Sequence, residues 1–173
     1  LSVCALMLSG AWMNISRQTD NLTMRKVLSG KASMLLPQDF ALMDAGTIAK
    51  KYPTAGHRPT EVYTNPGGTI NVALNHTGNP AKESDLEGVR QVMDAQFNRP
   101  SIDFMGSEIR ELNGKKFVIL EFVSQAVDTR IYNLMAIGSL DGRLVMITFN
   151  CTDNFRKNWQ PVARKIISSI DVG

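Results

Sequence analysis

Two tight-turn dipeptides constrain the fold of this chain more than any other feature of its sequence. Asn113-Gly114 and Asp141-Gly142 are residue pairs that tolerate the positive φ angles of two-residue hairpin turns. Each dipeptide separates two largely apolar segments of strand length. The spacing predicts a meander of four antiparallel strands, at about 102–112, 115–123, 129–140 and 143–150.

The strands of this meander carry apolar residues on both faces. Val118, Leu120 and Phe122 alternate toward one side, yet Phe117 and Ile119 on the other side are also apolar. A sheet with one solvent-exposed face shows a cleaner alternation of apolar and polar residues. We therefore predict an α/β (α+β) fold with a mainly antiparallel sheet and helices on both faces, an α/β/α sandwich.

Two amphipathic segments can supply the covering helices. The first begins at Ser84 and Glu87, whose S-x-x-E spacing predicts a capping box, and its apolar residues follow at helical spacing. They are Leu86, Val89, Val92, Met93 and Phe97. The C-terminal helix presents an apolar stripe of Phe155, Trp159, Val162, Ala163, Ile166, Ile167 and Ile170. Pro161 predicts that this helix either begins near Asn158 or bends.

The segments before the meander complete one domain over residues 33–173. Residues 33–37 read as a short strand, 44–52 as a short helix, and 60–64 with 69–75 as a hairpin around Asn65-Pro66-Gly67-Gly68. Residues 15–32 form a linker or an edge element. At 173 residues the chain is long enough to build its core without a metal or a disulfide.

Residues 1–14 are apolar and carry no charge, and the first charged residue is Arg17. This pattern favours the remnant of a signal peptide, and therefore an exported protein. The alternative is an apolar element that packs on the fold, which leaves a cytoplasmic location open. Val3 precedes Cys4, so the sequence does not place Cys4 in a lipoprotein box. Membrane association is expected only through this segment.

Charge and composition exclude several classes of function. The net charge of +3 comes from 19 basic and 16 acidic residues, and the basic residues form short clusters rather than a stripe with interleaved aromatics. Nucleic-acid binding is therefore not expected. The partner that we expect is a protein of unknown identity, and the pattern leaves the oligomeric state open.

The sequence predicts no catalytic, cofactor or metal site. His57 and His76 are isolated from other residues at metal-ligand spacing, and Cys151 has no partner histidine in a recognisable motif. A hydrolase built on these three residues is the less favoured alternative, because it needs them brought within hydrogen-bond reach by the fold.

Polar side chains at the ends of predicted strands mark a possible binding rim. Groups of this type can line a groove, or they can serve as hydrogen-bonded residues at a sheet edge. The seven residues of this rim are His57, Arg58, Tyr63, Asn65, Arg130, Tyr132 and Asn133.

The order of elements resembles the PsbP-like superfamily, especially its bacterial DcrB-like branch. The matching stretches within about residues 33–172 are Leu36-Pro37-Gln38-Asp39-Phe40, 51–65 (KYPTAGHRPTEVYTN), 113–122 (NGKKFVILEF), 131–151 (IYNLMAIGSLDGRLVMITFNC) and the helix at 159–170. The resemblance implies an α/β/α sandwich without enzymatic activity. Members of this superfamily include photosystem accessory proteins, a binder of a small GTPase in nuclear import, envelope lipoproteins and chaperones of secreted effectors.

Two functions are favoured over the hydrolase on these observations. The favoured one is a non-catalytic, exported accessory or binding protein that uses no cofactor. The alternative is a cytoplasmic chaperone or adaptor that binds an apolar helix of a client, with residues 1–14 imitating that client.

Overall fold

The computed structural model describes residues 21–173 apart from the side chain of His57. The strands are β1 (Leu22–Val27), β2 (Ala32–Pro37), β3 (Ala41–Leu42), β4 (Glu61–Thr64), β5 (Ile70–Pro80), β6 (Ile102–Leu112), β7 (Lys115–Gln125), β8 (Arg130–Leu140) and β9 (Arg143–Thr152). The helices are α1 (Ala45–Lys51), α2 (Leu86–Phe97) and α3 (Arg156–Ser168).

The predicted meander is confirmed as the larger part of a seven-stranded antiparallel sheet. Its order is β3-β4-β5-β9-β8-β7-β6. Asn113 and Gly114 have φ angles of 47° and 81°, and Asp141 and Gly142 have 52° and 71°. Both dipeptides therefore adopt the type I′ geometry, whose twist matches that of the flanking strands.

A second, two-stranded sheet pairs β1 with β2, from Leu22 opposite Pro37 to Val27 opposite Ala32. Ser33 and Asp171 exchange backbone hydrogen bonds of 2.8 and 2.9 Å, which join β2 to the C-terminal end of the chain. β1 lies in the segment that the sequence assigns to a linker or an edge element. Residues 1–14 lie outside the described residues.

The α3 side of the large sheet holds the main core. The apolar stripe of α3 packs there against Phe117 and Ile119 of β7 and against residues of β2. The Trp159 ring lies 5.9 Å from the Phe149 ring and 5.8 Å from the Phe40 ring, measured between centroids. Burial of this stripe makes α3 an integral part of the domain.

The opposite side of the sheet is covered by α1 and α2. Val118, Leu120 and Phe122 pack there with Leu86 of α2, and Ile48 of α1 packs on the β4–β5 end. The predicted α/β/α sandwich with helices on both faces is thus confirmed.

The structure corrects three details of the predicted helices. Val92 is 61% exposed, because it lies about 120° around α2 from the line through Leu86, Met93 and Phe97. Phe155 is 40% exposed, since it belongs to a 3₁₀ turn that precedes α3. Pro161 lies inside α3, which begins at Arg156 instead of near Asn158.

The predicted capping box at Ser84 and Glu87 is wrong. A 3₁₀ turn, Glu83–Asp85, precedes α2, and the Asp85 carboxylate accepts from the backbone N–H of Lys82 over 2.9 Å. Glu87 instead pairs with Arg90 one turn along the helix, at 2.6 Å. The acid that satisfies the orphan backbone donor is thus two residues earlier than the sequence pattern indicates.

Within residues 21–173, no helix is both long enough and apolar enough to cross a membrane.

Candidate functional site

A surface depression lies on the side of the sheet that α1 and α2 cover. It has a volume of about 630 Å³ and opens between α2, β5 and the loop that precedes β4. We call it the methionine groove. Its apolar lining consists of Met93, Phe97, Met135, Leu144 and Met146.

Strand register brings two of these methionines together. Met135 of β8 pairs with Thr148 of β9, whereas Met146 pairs with Ile137. Met135 and Met146 are therefore diagonal neighbours on the same face of adjacent strands. Helix α2 packs mainly against β6 and β7, so it covers β8 and β9 only in part, and both side chains are partly buried.

The sheet forms one apolar side of the methionine groove, and helix α2 forms the opposite side. Met93 and Phe97 are one turn apart and therefore lie on the same helix face. Phe97 is anchored by Phe122 of β7, with ring centroids 4.4 Å apart. Anchoring fixes this wall of the groove, while the unbranched methionine side chains can adjust their shape.

The rim of the methionine groove is polar and carries one arginine. Arg58 is exposed, and its Nε donates to the Tyr52 carbonyl over 3.2 Å. The His76 ring Nε2 lies 3.0 Å from the Leu140 carbonyl oxygen. Among the described lining residues there is one permanent cation and no carboxylate, so the rim favours a partner that brings negative charge.

A second groove, of about 440 Å³, lies on the α3 side of the sheet beside the edge strand β6. Glu121 lies at its base and accepts hydrogen bonds from Tyr132 Oη over 2.9 Å, from Arg164 over 3.1 Å and from Gln160. Burial raises the pKa of Glu121, but these three donors outweigh it and hold the pKa below its ordinary value. Because its oxygens are already occupied by donors, this carboxylate is suited to holding strands and helix together rather than to taking up a proton.

Tyr132 and Tyr63, both named as candidate rim residues, are buried in the core. Tyr132 is fully buried, and burial together with the Glu121 charge raises the pKa of its phenol. Tyr63 is 8% exposed, and its hydroxyl donates to Glu61 Oε2 over 3.1 Å. Both hydroxyls are therefore used inside the fold.

The candidate amides also make local contacts. Asn65 Oδ1 accepts from the backbone N–H groups of Thr69 and Ile70 at 2.9 and 3.0 Å, which closes the β4–β5 turn. Asn133 is 8% exposed and donates to the Ile131 carbonyl over 3.0 Å.

The two arginines of the candidate rim lie at different places. Arg58 lines the methionine groove, whereas Arg130 lines a shallow depression of about 340 Å³ near the start of β6 and pairs there with Asp103. His57 belongs to a 3₁₀ turn, Ala55–His57, next to Arg58. The fold thus does not gather the seven residues into one site, and a binding rim built from all of them stays a prediction.

Cys151 and His76, two of the three residues of the alternative hydrolase, lie far apart along the sheet. Cys151 pairs with Ile70 at one end of β5, and His76 lies six residues farther along that strand. This separation is roughly 20 Å, far beyond hydrogen-bond reach. Burial raises the pKa of the Cys151 thiol to about 12, with a smaller contribution from Asp153, so the thiol is protonated at neutral pH.

Potential metal ligands are also dispersed, since no group of three or more His, Cys, Asp or Glu side chains converges within the part of the chain that the structure describes.

The methionine groove is not predictable from the sequence, because its residues carry ordinary core signals. Met135 and Met146 stand in strands with apolar residues on both faces, and Met93 belongs to the apolar stripe of a helix. The only sequence signal is their residue type, because methionine is often used at adaptable binding surfaces. The partial exposure of these methionines depends on which strands α2 covers, which is a tertiary property.

Comparison with solved structures finds the same arrangement in other proteins. The solution structure of cyanobacterial PsbP from Synechocystis sp. PCC 6803 superposes with a TM-score of 0.60 at 15% identity, covering 88% of this chain and 93% of that chain. LpqN from Mycobacterium tuberculosis, described as involved in cell envelope biogenesis, gives a TM-score of 0.53 at 14% identity, over 89% and 93% of the two chains.

A third structure is about twice the length of the shared region. This Bacteroides thetaiotaomicron protein matches with a TM-score of 0.54 at 13% identity, over 88% of this chain and 49% of that one. No protein-family model matches the sequence, and no curated protein is significantly similar to it. The likeness is therefore one of architecture, carried by an antiparallel sheet between helical layers, and on this architecture the chain has the PsbP-like fold that its sequence predicts.

Proposed function

We propose that this protein is a non-catalytic accessory protein that acts outside the cytoplasm and binds an apolar segment of a protein partner in the methionine groove. The observation that carries the proposal is the partly exposed apolar lining of that groove, formed by Met135 and Met146 from the sheet and Met93 from α2. Its volume of about 630 Å³ is in the range of natural ligand sites.

The chemistry of the groove favours a protein segment as its occupant. Three thioether side chains offer an apolar surface that can repack around different aliphatic or aromatic side chains. Arg58 at the rim is exposed to solvent, and none of the described lining residues is a carboxylate. We therefore expect an apolar segment flanked by acidic residues, because Arg58 attracts a negative flank and repels a basic one.

The dispersal of reactive groups supports the non-catalytic part of the proposal. Cys151 is a buried, protonated thiol, and His76 lies roughly 20 Å from it. Glu121 is held by three donors. None of these groups combines an activated state with access to a substrate.

Two observations support a location outside the cytoplasm. Residues 1–14 have the apolar, uncharged character of a signal-peptide core. One protein with the same fold is described as involved in cell envelope biogenesis. The cytoplasmic chaperone alternative uses the same groove, so cell fractionation separates the two: recovery from the envelope or periplasm is expected, and recovery from the cytosol alone would favour the chaperone.

Binding can be tested with two matched synthetic peptides. Both carry the same amphipathic Leu/Met helix, and one has Glu flanks whereas the other has Lys flanks. We expect the Glu-flanked peptide to bind several-fold more tightly, as measured by fluorescence anisotropy. The Arg58→Glu variant should reverse this preference, and Val127→Glu is the matched control because Val127 is fully exposed on another loop.

Methyl-labelled methionine shows by NMR where the peptide binds. The signals of Met93, Met135 and Met146 should shift on peptide addition, whereas those of the exposed Met24 and Met105 should stay unchanged. Binding that shifts only Met24 or Met105, or no binding of either peptide at 1 mM (about −4 kcal/mol), would overturn the proposal.

A further inference from the structure

Strand β6 forms one outer edge of the seven-stranded sheet. Within the described residues it pairs with β7 alone. Its residues 108–111 are all exposed, and the Ile109 side chain retains 37% exposure. The free side of a strand presents unpaired backbone donors and acceptors, which are a template for another strand.

The hairpin turn determines which backbone groups of β6 point outward. Leu112 and Lys115 flank the type I′ turn, and in such a hairpin the flanking residues form a hydrogen-bonded pair. Along an antiparallel ladder these pairs alternate, so Glu108 and Arg110 direct their backbone groups to β7. Ser107, Ile109 and Glu111 therefore direct theirs to the free edge.

The free segment has defined ends. A register shift between Phe104 and Gly106 interrupts the ladder on one side, and Gly106 has a φ angle of 124°. Leu112, at the other end, is 4% exposed and belongs to the core. Five residues, 107–111, thus form a regular edge that can accept a partner strand.

We propose that β6 pairs antiparallel with β6 of a second copy of this chain, about a two-fold axis at Ile109. In this register Ile109 meets Ile109 of the partner subunit through two backbone hydrogen bonds. Ser107 lies opposite Glu111 of the partner subunit, and the converse pair adds the same contacts. All outward-pointing backbone groups of the segment are then satisfied, as an isologous contact requires.

The order of charges fits this register. Glu108 lies opposite Arg110 of the partner subunit, and Arg110 lies opposite Glu108 of the partner subunit. Both are non-hydrogen-bonded positions, where opposite side chains approach most closely. Within one chain Glu108 and Arg110 already pair with each other on the α3 side of the sheet. Dimer formation therefore replaces one Glu108–Arg110 ion pair within each chain by two such ion pairs across the two-fold axis.

Charges at an edge strand commonly prevent association, whereas opposite charges that face each other across two strands stabilise the pairing. Here the sequence Glu-Ile-Arg is complementary to itself when reversed, which is why a second copy is the favoured occupant. Five residues from each chain bury less surface than a standard interface, so we expect a weak dimer that depends on concentration.

Sedimentation velocity between 10 µM and 1 mM (spanning the range of weak affinities) tests the proposal with three charge variants. Glu108→Arg and Arg110→Glu each bring like charges together, so each should weaken the dimer about tenfold. The double variant Glu108→Arg/Arg110→Glu restores complementarity and should recover the wild-type dimer. Lys157→Glu, an exposed charge reversal on α3, is the control for net charge.

A cysteine pair tests the register directly. In a Cys4→Ser background, an oxidised mixture of Glu108→Cys and Arg110→Cys chains should give a disulfide-linked heterodimer, because directly opposed positions have suitable Cα separations. Each variant alone should cross-link far less. A monomer at every concentration, including one whose edge is covered by residues 1–20, or a dimer indifferent to the single charge reversals, would overturn the proposal.

Discussion

The Tyr132 hydroxyl donates to Glu121 Oε1 over 2.9 Å and links β8 to β7 beneath helix α3. The Arg156 guanidinium lies 5.4 Å from the Tyr132 ring centroid, and Arg164 binds Glu121 from the solvent side at 3.1 Å. A charged hydrogen bond inside a largely packed layer holds the helix and both strands in one arrangement.

The first prediction concerns this hydrogen bond. Tyr132→Phe keeps the ring in place but removes the donor to Glu121, so the free energy of unfolding should fall by about 1–2 kcal/mol. Urea denaturation at pH 7 measures the change. Tyr63→Phe is the comparison, since the Tyr63 hydroxyl donates to Glu61 over a longer distance of 3.1 Å and its loss should cost less. An unchanged stability of Tyr132→Phe would contradict this role.

The second prediction concerns pH. The pKa of Glu121 is held below its ordinary value of 4.5 in the folded protein, so its ionised form stabilises the fold above that pH. The contribution is lost as pH falls from 4.5 through the folded-state pKa. The stability difference between wild type and Glu121→Gln should therefore be constant from pH 7 to about 5.5 and shrink toward pH 3. A difference that grows in acid would show the opposite sign of coupling.

The third prediction compares two glycines. A Cβ at Gly138 would lie 2.4 Å from the Phe117 ring, whereas a Cβ at Gly88 of α2 has no neighbour within 4 Å. Gly138→Ala should therefore lower the free energy of unfolding by about 1–3 kcal/mol through overpacking. Gly88→Ala should raise it by about 0.5 kcal/mol through helix propensity. Thermal unfolding followed by circular dichroism measures both, and equal effects would contradict the close approach at Gly138.

The fourth prediction compares two β-branched residues on helices. Ile166 of α3 is fully buried in the main core, whereas Val92 of α2 is 61% exposed. Ile166→Ala should cost about 3 kcal/mol, because it leaves a cavity. Val92→Ala should change stability by no more than about 0.5 kcal/mol. A large loss in Val92→Ala would mean that the apolar stripe of α2 includes this residue after all.

The fifth prediction concerns the Cys151 thiol. It is 1% exposed, and burial raises its pKa to about 12, so the reactive thiolate is scarce at neutral pH. In a Cys4→Ser background, modification by a chromogenic disulfide at pH 8 should follow the rate of opening of the fold and should rise steeply in urea. Rapid modification of the folded protein would instead indicate an accessible site.

Short-range signals were sufficient to predict the strands and turns of the meander. Asn113-Gly114 and Asp141-Gly142 act locally, because the positive φ angles of a type I′ turn depend on the residues at the turn itself. The stripe of α3 is also local, since Trp159, Val162 and Ile166 recur at the helical period. Patterning within one segment thus predicts the layers of the sandwich.

Contacts between residues far apart in sequence decided the strand pairing of β5, the lining of the methionine groove and the burial of two tyrosine hydroxyls. β5 pairs with β9, which begins more than 60 residues later. Arg58 lines the methionine groove because the loop before β4 lies beside β5 at that groove. Tyr63 and Tyr132 appear as candidate binding residues in sequence, but the fold turns their hydroxyls inward to Glu61 and Glu121.

Sequence alone determined the α/β/α sandwich, because turn chemistry and hydrophobic period are properties of neighbouring residues. Tertiary structure alone decided which surfaces remain open. Met135 and Met146 stay partly exposed because α2 packs mainly against β6 and β7, and Glu108 and Arg110 lie at a free edge because β6 is the last strand of the sheet. Exposure depends on what packs against a residue, and in this protein those neighbours come from distant parts of the chain.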